Sequence, residues 1–271
     1  MPQNVSRTDI VRDLKALGVK PGVMLGVHSS LNSIGHVDGG AQTVVDALMD
    51  AVGPNGTVVM PVFTKPADVF LAAYTPSTTG AVTEAFRLSD GTMRSLHPTH
   101  SVAAHGRYAH HVVREHQKRQ ALGVGSPFHR LAKYDGMILL IGVGFERASI
   151  VHVAESLAGA PYQDVFYPGY QRKTLLVAAN GKRIKYIPED NPGDSSAFGV
   201  VESRLRSSGR LVEGSIGAAK TFLAFGADII NAALEVLSED GAGLLCSSRK
   251  CAVCPRRRSK VRNLNWRYTQ R

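Results

Sequence analysis

At 271 residues, with 44% hydrophobic and 20% charged side chains, the sequence has ordinary globular composition and the length of one large domain or two small ones. No apolar run approaches the roughly 18 residues that a membrane helix needs. The first eighteen residues include Arg7, Asp9, Arg12, Asp13 and Lys15 without an apolar stretch of the secretory type, so the expected location is the cytoplasm. The formal net charge of +10 is unevenly spread: after the last acid, Asp240, nine basic residues follow (Arg249, Lys250, Arg256, Arg257, Arg258, Lys260, Arg262, Arg267 and Arg271), and setting them aside leaves 23 basic against 22 acidic side chains. That near-neutral body weighs against a nucleic-acid partner. Only the basic tail, expected as a solvated extension, keeps nucleic-acid or anionic-surface binding open as an alternative.

Residues 8–17 read as a helix, capped by Ser6 or Thr8 and ended by Gly18. A buried strand follows over 23–27, then a helix over 41–51 that is entered through Gly39 and Gly40 and stopped by Gly53 and Pro54, and a second strand over 57–63. Residues 79–88 read as another helix, and the polar, proline-containing stretch 90–99 as irregular. A strand over 137–143 precedes a helix over 148–157. The segments 174–178 and 183–187, separated by Asn180-Gly181, give a hairpin. Helices are expected over 198–207 and 219–237, and a last short strand through Leu244 and Leu245. The fold class is therefore α/β (mixed α+β), a mixed central sheet covered by helices, with no linker long enough to divide it.

Three groups of residues have the chemistry for a site. The stretch HSSLNSIGHVDGG after the first strand offers Ser29, Ser30 and Ser33 with glycines at 35, 39 and 40, a loop that a ligand could approach closely; its glycine spacing is that of neither a dinucleotide fingerprint nor a Walker loop. Six histidines (His97, His100, His105, His110, His111 and His116) crowd into twenty residues, but without a His-Glu-x-x-His spacing and with no acid between His97 and Val113, so surface and core roles are expected rather than a hydrolytic metal. His152 and Glu155 lie three residues apart on one expected helix face, just beyond a strand end and the turn Gly142-Val143-Gly144. A carboxylate there holds an imidazole in one tautomer and raises its basicity. All three cysteines, Cys246, Cys251 and Cys254, fall in the tail at a spacing more suggestive of metal than of disulfide; yet the last histidine is His152, so the tail cannot supply a fourth ligand of its own, and small, partly buried thiols are expected.

Five ordered blocks carry a resemblance. They are VHSSLNSIGHVDGGAQTVVDALMDAVGPNGTVVMPVFT (27–64), YTPSTTGAVTEAFR (74–87), RSLHPTHSVAAHG (94–106), GVGSPFHRL (123–131) and LLIGVGFERASIVHVAE (139–155). Together they resemble the antibiotic N-acetyltransferase family, whose best known members are the aminoglycoside 3-N-acetyltransferases; the likeness covers about the first 225 residues, weakening over 194–217. It implies a mixed α/β fold distinct from the GNAT acetyltransferases, with residues 1–245 as the acetyltransferase domain and 246–271 as an added Cys/Arg-rich tail. It also implies acetyl-CoA as co-substrate, a small-molecule amine (an aminoglycoside) as acceptor, and no metal required for catalysis. By matching position, His152 is the catalytic base and Glu155 its support. His28, Ser29, Ser30, Arg94, Ser95, His97, Ser101, Ser126 and Pro127 fall on the cofactor side, with Ser101 a candidate oxyanion donor. Many family members carry Asn-Thr where this chain has Ala148 and Ser149; Ser149 keeps a hydroxyl for the acceptor, whereas Ala148 lacks the amide. A polycationic acceptor calls for carboxylates, for which Asp68, Glu189, Asp190 and Asp194 are candidates. The alternatives are transfer to a non-aminoglycoside amine and a nucleic-acid or zinc-binding role for the tail.

Overall fold

The computed structural model describes residues 4–269. Ser6 caps α1 (Arg7–Ala16) through a capping box with Asp9. Then come β1 (Met24–Ser29), α2 (Leu31–Ile34), α3 (Gly40–Val52), β2 (Thr57–Pro61), β3 (Val69–Leu71), α4 (Ala81–Leu88), β4 (Met93–Arg94) and β5 (Val102–Gly106). The middle of the chain supplies α5 (Ala109–Val113), α6 (Pro127–Lys133), β6 (Met137–Ile141), α7 (Val151–Leu157), β7 (Thr174–Val177) and β8 (Arg183–Tyr186). It closes with α8 (Gly199–Ser207), β9 (Val212–Ile216), β10 (Ala219–Phe225), α9 (Gly226–Glu239) and α10 (Cys254–Asn263).

Seven strands form the main sheet in the order β4-β5-β2-β1-β6-β10-β9, while β3, β7 and β8 make a separate three-stranded one. β1 lies between two parallel neighbours, β2 and β6, and the outer pairings are antiparallel. A strand so enclosed must be apolar on both faces, which is why its first five residues are all buried. One face of the sheet packs against α1, α3 and α4 through Ile10, Leu14, Leu48 and Phe86; the other packs against α5 to α9 through Phe128, Val153, Phe198 and Ile229. The parallel pairing sets His28 beside Leu140 and Ser29 beside Ile141, so the carboxyl ends of β1 and β6 open on the same edge. No helix among the described residues is long and apolar enough to cross a membrane.

Three expectations are corrected. Residues 219–237 are not one helix: Ala219–Phe225 pairs antiparallel with β6 as β10, and only from Gly226 does the chain coil, because Thr221, Phe222 and Phe225 suit a pleated surface. Leu244 and Leu245 lie buried in a turn rather than a strand. The tail is not a solvated extension either. Val253, Cys254 and Val261 are buried in a cluster with Tyr162 and Val165, against which Trp266 also packs. Four of its basic side chains are engaged: Arg256 with the Phe166 carbonyl, Arg257 with those of Val165 and Asn191, Arg258 with that of Cys246, and Lys260 with the Asp164 carboxylate.

Candidate active site

A cleft of about 1170 Å³ opens at the carboxyl edge of β1 and β6. Its walls come from the end of β1 (His28, Ser29) with Ser30 after it, the start of α4, the turn after β6 (Gly142 to Gly144), the start of β10 and the loop carrying Pro192, Gly193 and Ser195. The turn needs glycine at 142: its φ is +64°, and a Cβ there would sit 2.3 Å from that of Ser33. Beyond the turn a short 3-10 segment, Phe145–Arg147, leads into α7, so the first turn of that helix is delivered to the cleft wall.

His152, on that turn, lines the cleft. Its Nδ1 lies 2.6 Å from Oε2 of Glu155, one helical turn on, which is buried and can only accept when ionised; Nδ1 therefore carries the proton, and Nε2 is left as the basic nitrogen available to the cleft. The Tyr162 hydroxyl donates to the other carboxylate oxygen, Oε1, at 2.9 Å, so both oxygens are fixed. Phe198 packs edge-on to the imidazole at a centroid distance of 4.9 Å. Behind Tyr162, the fully buried Arg257 places its guanidinium carbon 5.4 Å from the ring centroid. Helical spacing made His152 and Glu155 a candidate pair, and the family resemblance singled them out. Tyr162 and Arg257 left no such trace, being joined to the pair only by the tertiary fold.

The residues expected on the cofactor side divide into two sets. His28, Ser29 and Ser30 line the cleft, and Nε2 of His28 and Oγ of Ser29 are buried without a hydrogen-bond partner. Burial, with a lesser effect from Arg147, pushes the His28 imidazole down to about 3, so the ring is neutral. Arg94, Ser95, His97, Ser101, Ser126 and Pro127 do not line it. Arg94 donates to the carbonyls of Thr75 (2.5 Å) and Val62 (3.0 Å) and to Oγ of Ser101 (3.0 Å). The Ser101 hydroxyl donates in turn to Val62 O, which leaves it no proton for an oxyanion. Ser95 binds His116 Nδ1, and His97 accepts from the His100 amide through Nδ1 while Nε2 meets the Tyr186 hydroxyl. Ser126 caps α6, with Pro127 as its first residue.

On the acceptor side, Ser149 lines the cleft while Ala148 is buried behind it. The expected carboxylates are elsewhere: Asp68 pairs with Arg172 at the surface, Glu189 and Asp190 line a separate pocket of about 500 Å³, and Asp194 accepts from Tyr167 and Ser196. Glu146 is the acidic residue that does line the cleft, together with the cations Arg147 and Lys220. Sequence reasoning had passed over all three. Of the histidine cluster, only His100 reaches the cleft; burial and the neighbouring His152 push it down to about 3.

A buried carboxylate–imidazole pair thus stands at a large cleft on the sheet's carboxyl edge, where ligand sites of α/β sheets gather. The family description "aminoglycoside 3-N-acetyltransferase" matches residues 27–238. Aminoglycoside N(3)-acetyltransferase VIII of Streptomyces fradiae is 31% identical over 85% of this chain and 91% of its own. Aminoglycoside N(3)-acetyltransferase IV of Salmonella sp is 31% identical over 86% of this chain and 88% of its own. Among solved structures, the apoenzyme of aminoglycoside acetyltransferase AAC(3)-IVa superposes with a TM-score of 0.82 at 30% identity, covering 96% of this chain and 98% of that one. A histidine-to-alanine mutant of the same enzyme, in complex with apramycin, gives 0.79 at 29% identity, covering 94% and 100%. The chain belongs to the aminoglycoside 3-N-acetyltransferase family, and is an acyltransferase of mixed α/β fold.

Proposed function

We propose that this protein transfers the acetyl group of acetyl-CoA to the 3-amino group of an aminoglycoside in the cytoplasm, with His152 as general base. The observation that carries this reading is the 2.6 Å bond between His152 Nδ1 and Glu155, which leaves Nε2 as a proton acceptor in the cleft. An alkylammonium has no lone pair with which to attack a thioester, so a base of near-neutral pKa is what the reaction demands of the protein. His152 takes the proton on Nε2, Glu155 offsets the charge of the imidazolium that results, and Tyr162 keeps Glu155 turned toward the ring.

Acetyl-CoA, when bound, supplies the acetyl group as an activated thioester. The partnerless His28 Nε2 and Ser29 Oγ fit a polar ligand at the end of β1, and Arg147 and Lys220 give the cleft cations suited to its phosphates. Ser30 completes the cofactor side of this reading. Ser149 and Glu146 serve the acceptor, Glu146 by attracting its ammonium groups. A thiol-release assay over a panel of 2-deoxystreptamine aminoglycosides, with NMR of the product to locate the new amide, tests the assignment. Turnover with acetylation at the 3-amino group is expected. Acetyl-CoA binding without turnover of any such drug would overturn the acceptor and leave a different amine in its place.

A further inference from the structure

The fold closes the metal-ligand set that the tail's sequence leaves incomplete. Cys246 and Cys251 are half-buried and Cys254 is buried, and all three thiols are free. Asp194, 52 residues upstream of Cys246 on the loop between β8 and α8, brings its carboxylate to them: the four ligand atoms lie within 4.8 Å of one another. A tetrahedral zinc with Zn–S distances of about 2.3 Å holds its ligand atoms roughly 3.5 to 4 Å apart, so small side-chain adjustments suffice.

We propose that Asp194, Cys246, Cys251 and Cys254 form a structural zinc site that fastens the C-terminal helix to the loop beside the cleft. Three thiolates select a borderline-soft cation over magnesium or calcium, and four protein ligands leave no open position, so the ion is structural rather than catalytic. The surroundings suit it. The Cys254 amide lies 3.5 Å from the Cys251 sulfur, an N–H···S contact that favours a thiolate. Asp194 Oδ1 accepts from the Ser196 amide at 2.9 Å and Oδ2 from the Tyr167 hydroxyl at 3.3 Å, which orient the carboxylate as partners of a metal ligand do. Arg258 holds the backbone carbonyl of Cys246 at 3.0 Å.

The site also accounts for a charge that is otherwise puzzling. Arg257 is fully buried, and its Nε and one terminal nitrogen have no partner. That terminal nitrogen presses on Gly193, where a Cβ would fall 2.2 Å from it. Gly193 precedes Asp194, and Arg257 follows Cys254 by three residues. Zinc with three thiolates and one carboxylate carries a net charge of −2, an anionic centre placed beside an uncompensated cation.

The test uses the full-length protein purified without chelator. Elemental analysis is expected to give one zinc per chain, and cobalt exchanged into the protein should show thiolate-to-cobalt charge-transfer and tetrahedral d–d bands. Removing the metal with a strong chelator should lower the melting temperature, and added zinc should restore it. Asp194→Asn and Tyr167→Phe keep the three thiols and the fold; Tyr167→Phe should weaken zinc binding about tenfold. Cys251→Ser should abolish the cobalt bands. A chain that carries no zinc, shows no thiolate-to-cobalt bands and has a melting temperature indifferent to chelator and zinc would overturn the proposal, as would metal binding unchanged in Cys251→Ser.

Discussion

The carboxyl end of β1 and the segment from Arg94 to Ser101 present the same kinds of side chain, histidine and serine at a strand end, yet the fold uses them in opposite ways. In the first, His28 and Ser29 stand at the cleft with polar atoms that no protein group satisfies. In the second, Arg94, Ser95, His97 and Ser101 spend their donors on Val62, Thr75, His116 and Tyr186, tying the small sheet and its approach loop to the main one. The contrast teaches that residue type does not separate a ligand site from an internal strut, whereas accounting for each hydrogen bond does.

The sharpest way to test the comparison is at the reacting end of the cleft. His152→Ala should lower kcat about 10²- to 10⁴-fold with little change in KM for acetyl-CoA, measured by thiol release. Arg94→Met comes next: it strips the Thr75 carbonyl of its donor and leaves that of Val62 with Ser101 alone, and should cost about 2 kcal/mol in urea unfolding, with KM for acetyl-CoA unchanged in the folded fraction. An unchanged stability with a raised KM would return this segment to the cofactor.

The buried histidines tie stability to pH. Burial depresses His28 to about 3 and His116 to about 4, from an ordinary 6.5. Between those values the unfolded chain takes up protons that the folded chain refuses, so their contribution is complete above pH 6.5 and falls away as pH drops toward 4. At pH 5 each such ring should cost about 2 kcal/mol, read as a falling melting temperature from pH 7 to 5. Two smaller effects separate the sites again. Tyr162→Phe frees one oxygen of Glu155 and should lower kcat about tenfold while displacing the acidic limb of its pH profile. Ser29→Ala removes a hydroxyl without a protein partner; KM for acetyl-CoA should rise about tenfold and the melting temperature stay put.

Much of this was legible in the chain. The parallel core strands β1, β2 and β6 are short apolar runs, α1 carries its own cap, and His152 and Glu155 need only the pitch of a helix to meet. What was not legible depends on contacts distant in sequence. Residues 219–225 pass for the start of a helix until β6 supplies a ladder for them. The acids expected to meet a polycation are scattered by the fold, and Glu146 lines the cleft only because the 3-10 segment turns it there. The tail shows both sides at once: the spacing of its cysteines hinted at metal, small partly buried thiols were expected, and nothing near them points to the Asp194 carboxylate that the fold brings alongside.

One consequence of the clamped imidazole concerns direction. An sp² nitrogen accepts a proton along its lone pair, in the plane of the ring. With Nδ1 tied to Glu155 and Phe198 against the ring, that plane is held against rotation. If His152 is the base proposed above, it acts along a single line of approach, and a polyamine lying in the cleft offers it only the amino group that falls on that line. Choice among chemically equivalent amines becomes a matter of how the acceptor's rings lie against the walls, so substitutions at Ser149 or Glu146 should redirect the acetyl group without touching the base.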